Sequence, residues 1–232
     1  MRRTKDIKDA LNAPIPDQCL ECKSQLNKAQ REAFNIIMDH VTGQIPGAFF
    51  YRWSWRNRKT FLYNALYAEI RLMNKIVLPT ATSVIDATNI PSGRTAHSRF
   101  KIPLDPLESL ACNVPKQGSL AALRRETLLI IWDEASMAKN ENVESLDVLL
   151  RDICNPDLLF GGKIVVFGGD FRQVLPVVPC RTQREAVAAS LVSPVLWPLL
   201  TKFRLTENIR ARHDPAYAAF LLALGNGQLQ DT

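Results

Sequence analysis

The chain has 232 residues, 47% of them hydrophobic and 22% charged, enough for one α/β domain with a real core or for two small domains. A formal net charge of +6 and a pI near 9.2 suit a polyanionic partner, without separating nucleic acid from an anionic membrane surface. No run approaches the roughly 20 apolar residues of a membrane span, and the start, MRRTKDIKDALNAP, lacks the apolar stretch of a secretory signal, so an intracellular chain with no membrane partner is expected.

Residues 1–25 read as a polar, proline-containing lead-in, loosely ordered. Within it Cys19 and Cys22 make one Cys-x-x-Cys, but Cys112, Cys154 and Cys180 are scattered singles that give no second pair for a zinc ribbon. Five cysteines, odd in number and mostly isolated, suit a reducing compartment. From Leu26 to about His40, Ala29, Ala33, Phe34, Ile36 and Ile37 recur at helical spacing behind Asn27 as N-cap. The segment Gly43–Gly47 breaks the chain, and 48–52 reads as a short buried strand. A helix is expected over 59–72, a strand over 75–80 and a helix over 83–90.

Residues 91–118, rich in Pro, Gly and Ser, read as irregular surface loop. A helix near 119–126 then leads into TLLIIWD, a nearly continuous apolar run suited to a strand covered on both faces. A helix over 142–154, a strand over 163–167, a further strand at 204–207 and a helix over 215–224 complete the pattern. Strands alternating with helices imply a doubly wound α/β domain with a mostly parallel sheet and helices on both faces.

In such a sheet, ligands bind outside the carboxyl ends of the strands. One predicted strand ends in Asp133-Glu134, a pair that can hold Mg²⁺ through the first acid and polarise water with the second, or can simply open a loop. Another ends in Gly168-Gly169-Asp170-Phe171-Arg172-Gln173, where paired glycines allow close backbone approach to a ligand and Gln173 offers a donor and an acceptor. The third end is FFYRWSWRNRKTFL, residues 49–62, whose Lys59-Thr60 closes the stretch as a phosphate-binding loop closes.

The order LNKAQ (26–30), KT (59–60), TATS (80–83), GRTAHSRF (93–100), WDEA (132–135), GGDFRQ (168–173) and LTENIR (205–210) resembles the Pif-type (petite integration frequency) DNA helicases of superfamily 1, in their Helitron-like version. The likeness covers about 26–228. It implies the first RecA-like, P-loop NTPase motor domain of a transposon-derived helicase that unwinds single-stranded or forked DNA 5′ to 3′ with ATP and Mg²⁺. It also implies a nuclear or mitochondrial setting in DNA repair, recombination and telomere maintenance. By that resemblance Gln30 reads adenine, Lys59 and Thr60 take the phosphates and Mg²⁺, Asp133 holds Mg²⁺, and Glu134 activates water. Gln173 senses the γ-phosphate, Arg210 is an arginine finger, and His97, Ser98 and Phe100 touch single-stranded DNA. For His97 and Phe100 taken alone, a capped turn and a core aromatic remain open readings.

The departure lies in the loop. In register with Gly-Pro-Gly-Gly-Thr-Gly-Lys-Thr, this chain places Trp53, Trp55, Arg56 and Arg58 at the four glycine positions. Left-handed backbone there costs a residue with a Cβ roughly 1–2 kcal/mol, and inward-facing amides must still form the anion nest. Each change lies one base from a glycine codon, as do Ser54 from proline and Asn57 from threonine. A decayed ATP loop is therefore expected, with weak ATP binding or none. Tyr51, Trp53 and Trp55 interleaved with basic residues also resemble a stacking surface for single strands, as against aromatics buried in an emptied pocket. Motifs of a second motor domain are not seen, so action through an intact helicase of the same family is a further expectation.

Overall fold

The structure is a computed structural model that describes residues 3–53, 59–103, 109–171, 176, 182–192 and 196–205; for residues 53, 183, 184, 204 and 205 it describes the backbone alone. Six strands form one parallel sheet: β1 (Gly47–Trp53), β2 (Ile76–Ala81), β3 (Arg94–Thr95), β4 (Thr127–Asp133), β5 (Ile164–Gly169) and β6 (Thr201–Leu205), in the order β3-β2-β4-β5-β1-β6. Central β4 explains why TLLIIWD is so apolar. Leu129 and Ile131 enter a core on one face, Ile130 and Trp132 a core on the other, and all four are fully buried.

The first face carries α3 (Lys28–Gly43) and α4 (Lys59–Leu72), packing Phe34, Ile37, Leu62 and Leu66 on the sheet. The second carries α7 (Ser119–Glu126) and α8 (Asn140–Ile153), with Leu123, Leu146 and Leu150 against Phe167 and Trp132. Helices on both faces of a parallel sheet are thus as the alternation implied. α3 starts where expected: the Asn27 side chain accepts from the Gln30 N–H at 2.8 Å, and the Gln30 side chain accepts from the Asn27 N–H at 3.1 Å. This reciprocal pairing satisfies two of the orphan amides of the first turn.

The lead-in is where the sequence reading needs correction. It holds α1 (Lys5–Asn12) and α2 (Asp17–Cys22), with Ile7 in one core and Cys22 in the other. Buried Arg71 of α4 ties it down, donating to the carbonyls of Leu11 at 2.6 Å and Ala13 at 3.0 Å. The anchors are single residues in a polar background, which leaves no periodic signal over so short a span. The 91–118 stretch likewise holds β3 and α6 (Ala96–Phe100), the latter capped by the Thr95 hydroxyl on the Ser98 N–H. The edge strand β6 precedes its expected start by three residues, α9 (Gln183–Ala188) was not foreseen, and the helix expected over 215–224 lies outside the described residues.

The close backbone approach expected at Gly168-Gly169 occurs, but against the chain itself. A Cβ on Gly169 would stand 2.6 Å from Ser136 Oγ and 2.9 Å from the Ser136 N, in the 3₁₀ turn Ala135–Met137 that follows β4. This contact holds the ends of β4 and β5 together below the strand tips. Gly169→Ala should therefore destabilise the fold by about 1–3 kcal/mol through overpacking. Urea denaturation checks this, and unchanged stability would show that the contact relaxes freely.

Candidate active site

Three elements meet at the carboxyl edge of the sheet: the tip of β2, the tip of β4 and the first turn of α4. β2 and β4 pair side by side with Thr80 opposite Trp132 and Ala81 opposite Asp133, so the residues that follow each strand emerge together. The Thr82 N–H donates to the Asp133 carbonyl at 3.1 Å, and the Thr82 hydroxyl donates to the Glu134 carbonyl at 2.6 Å. That hydroxyl also accepts from the Trp132 indole N–H at 3.1 Å. Glu134 sits in the left-handed region (φ 51°), a costly conformation for a residue with a Cβ, and the Thr82 and Trp132 bonds brace the turn around it.

Asp133 is 1% exposed and Glu134 7%. The Lys59 ammonium, from the start of α4, lies 2.9 Å from Asp133 Oδ2 and is hydrogen-bonded to Glu134 Oε1. The other Asp133 oxygen accepts from the Tyr63 hydroxyl at 3.2 Å and from the Glu134 N–H at 3.0 Å. Tyr63 stands one helical turn beyond Lys59, so α4 delivers both groups from one face. Glu134 Oε2 is buried and has no hydrogen-bond partner. Asp86, in α5 (Val84–Thr88), brings a third carboxylate: oxygens of Asp86, Asp133 and Glu134 lie within 4.8 Å of one another. Asp86 is itself held by the Ser83 hydroxyl at 2.5 Å.

Among the described residues, this group sets three carboxylates against one ammonium, which contacts Asp133 and Glu134. Burial first, and the Glu134 charge second, push the Asp133 carboxyl up to about 6 against the opposing pull of Lys59. Lys59 moves up as well: burial disfavours its charge, but Asp133 and Glu134 together outweigh that. A cation fits this donor set: Asp133 and Asp86 are placed to hold one, and the unpartnered buried oxygen of Glu134 lies close enough to take a water bound to it.

The structure thus brings Lys59, Asp133 and Glu134 together, with Thr60 half-buried beside Lys59. Gln30 lies in the first turn of α3, buried, with its side-chain oxygen in the capping box. His97 is half-buried and Ser98 exposed on α6, and burial followed by the Lys139 charge lowers the His97 pKa. Phe100 is corrected: it is fully buried, its ring 6.3 Å from that of Trp132 and 5.7 Å from the Arg124 guanidinium, so this structure offers no face of it to a base. Its spacing from Ala96, i to i+4 on one helical turn, is the signal for a core position. Gln173, Arg210 and residues 54–58 lie outside the described residues, as does the side chain of Trp53. The sequence reading missed Tyr63 and Asp86. Tyr63 could have been found from its i+4 spacing to Lys59.

Residues 25–232 match the family described as PIF1-like helicase. The chain belongs to that family. Among curated relatives, it is 29% identical over 171 residues to the ATP-dependent DNA helicase PIF1 of Candida albicans, covering 68% of this chain and 19% of that protein. It is 26% identical over 208 residues to the ATP-dependent DNA helicase RRM3 of Saccharomyces cerevisiae, covering 88% and 28%. The solved Pif1 helicase of Candida albicans superposes with a TM-score of 0.74 at 24% identity, over 89% of this chain and 45% of that one. Pif1 from Bacteroides in complex with ADP-AlF3 and ssDNA gives 0.72 at 23% identity, over 88% and 47%. At such identities the structural likeness speaks for the RecA-like fold. The chain spans under a third of these curated relatives and under half of the solved chains.

The charge balance of this PIF1-like site has a measurable consequence. The folded Asp133 carboxyl keeps its proton to higher pH than the ordinary value of 3.8, so its contribution favours folding below about pH 4 and is lost as pH rises through about 6. Lys59→Ala removes the cation that offsets this loss. Its side chain is 20% exposed, so the expected cost at pH 7 is about 3 kcal/mol, the lower end for breaking a buried pair. The deficit should shrink at pH 5 as the carboxylates take up protons. Urea titrations at both pH values test this, and a deficit independent of pH would contradict it.

Proposed function

We propose that this chain is the first RecA-like motor domain of an ATP-dependent, 5′-to-3′ DNA helicase of the PIF1 type, one that contacts single-stranded or forked DNA but holds ATP weakly or not at all. The observation that carries the reading is the buried Lys59–Asp133–Glu134 cluster at the tips of adjacent parallel strands. Such clusters serve phosphate and metal chemistry in motor domains of this fold.

Mg²⁺ suits the site, with Asp133 and Asp86 as its holders and Thr60 added on the family likeness. When bound, it would neutralise charge on phosphate oxygens. Glu134, with one buried oxygen unpartnered, is placed to orient a water and accept its proton. Gln30, Gln173 and Arg210 complete the set, as adenine reader, γ-phosphate sensor and arginine finger. A tightly held triphosphate does not fit. Lys59 is bound to its own carboxylates, and four positions of the preceding loop carry side chains where glycines would let backbone amides close on phosphate. A side-chain cation such as that of Arg56 does not replace a fixed ring of amides.

On the DNA side, His97 and Ser98 sit on one short helix at the edge of the sheet. With its pKa lowered, His97 is neutral at pH 7 and meets a strand as a hydrogen-bonding ring. The family likeness carries the tie to repair, recombination and telomere maintenance, a transposon origin, and a nuclear or mitochondrial location. A second reading is favoured by the loop substitutions themselves: a non-catalytic single-strand binder, or a module that docks on an intact helicase of the same family.

Fluorescence anisotropy of a labelled oligothymidylate, with ATP turnover measured in parallel, tests the proposal. Binding should weaken steadily with salt, as phosphate contacts require. Ser98→Asp should weaken it about tenfold by placing a negative charge against the strand. ATP turnover should stay at background with or without DNA. DNA-stimulated hydrolysis, or no DNA binding at all, would overturn it.

A further inference from the structure

A cavity of about 360 Å³ opens at the β3 edge of the sheet, walled by α1, the end of α4, β2, β3, α6 and α7. That volume is at the lower end of small-ligand pockets, on the order of 300–1,000 Å³. Four cationic side chains line it, Arg71, Arg94, Arg99 and Lys101, against two carboxylates, Asp6 and Asp9. None of the four cations has a carboxylate within ion-pair distance among the described residues.

Arg99 shows how the charge is left over. Its guanidinium donates to the carbonyls of Pro79, at 2.9 Å, and Ser92, which fixes its direction but supplies no negative charge, and its Nε is buried without a partner. Arg71 is 7% exposed, spends its donors on the carbonyls of Leu11, Ala13 and Lys75, and also has a buried Nε without a partner. Arg94 and Arg124 stand near enough to Arg99 to repel it, and this repulsion, after burial, pulls the Arg99 pKa down to about 10. Holding unpaired guanidinium groups together out of water is costly, and the cost is relieved by an anion that accepts from several at once. Arg94 and Lys101 are exposed at the mouth, with Ser98 and Ser92 on the rim as hydroxyl donors.

We infer that this edge cavity is an anion site that takes a phosphoryl group, through Arg94, Arg99 and Lys101, separately from the Lys59–Asp133–Glu134 cluster. Two sources supply that chemistry: a backbone phosphate of a strand passing Ser98, or a free polyphosphate. The acids on α1 exclude a uniformly anionic surface and confine the anion to the β3 and α6 side of the cavity. The site needs neither the phosphate loop nor ATP, so it can fail while the helicase reading stands, and the reverse.

The test titrates inorganic pyrophosphate calorimetrically into the full chain carrying Lys59→Ala, which removes the cation of the other phosphate-directed site. Binding should persist there. Adding Arg94→Gln and Lys101→Asn should weaken it about tenfold or more, the scale of losing charge-assisted contacts. Both positions are exposed, and asparagine tolerates the left-handed backbone of Lys101 (φ 57°), so the fold is kept. In a second arm, oligothymidylate that competes with pyrophosphate assigns the site to a strand phosphate; no competition assigns it to a free polyphosphate. Absence of pyrophosphate binding in the Lys59→Ala chain, or equal affinity with and without the two edge substitutions, would overturn the inference.

Discussion

Two consecutive carboxylates buried at the tip of a central strand are hard to keep, and the architecture around them answers that difficulty. Asp133 and Glu134 leave β4 where β2 ends beside it, Thr82 and Trp132 brace the turn, and α4 brings Lys59 and Tyr63 to the acids. Below them Gly169 lets β5 close on Ser136. Each of these contacts loses its purpose if the acidic pair is replaced by apolar residues, since the core would then close without it. Lys59 acts in this structure as the cation that keeps the acids in place.

Charge is also unevenly distributed over the molecule. Among the described residues, the tip of β2 gathers carboxylates in excess of cations, while at the β3 edge of the sheet guanidinium groups gather in excess of acids. The acids are buried enough to resist screening by salt, whereas at the edge Arg71 is buried, Arg99 half-buried, and Arg94 and Lys101 exposed; a ligand of opposite charge relieves either imbalance. The formal charge of +6 gives no hint of this, because it sums over both ends.

Much of this was legible in the sequence where a signal repeats. β4 was plain because apolar residues fill both faces, and α4 and α7 because their apolar spacing is helical over two turns or more. The acid pair and Lys59 could be placed at one edge because each follows a predicted strand of a parallel sheet, whose carboxyl ends face the ligand. What stayed hidden rests on single contacts. α1 and α2 are held by Ile7, Cys22 and the grip of Arg71 on two carbonyls, none of which leaves a period. Asp86 joins the acids only because β2 and β4 are neighbours in space. Phe100 was assigned to DNA by likeness of motif, while its distance from Ala96 pointed to the core it occupies. Gly169 was read as a place where backbone approaches a ligand, but its close neighbour is Ser136.

The central claim is that the acidic half of the site is assembled while the phosphate-cradling half has been lost through side chains at glycine positions. Binding of a fluorescent ATP analogue with Mg²⁺ tests it most directly. The natural chain would be compared with one in which Trp53, Trp55, Arg56 and Arg58 are returned to glycine, Ser54 to proline and Asn57 to threonine. The account predicts binding by the restored chain alone, with Lys59 released from its carboxylates to the phosphates. Equal binding by the natural chain would contradict it, and would mean that the tryptophans and arginines form a nucleotide pocket of their own.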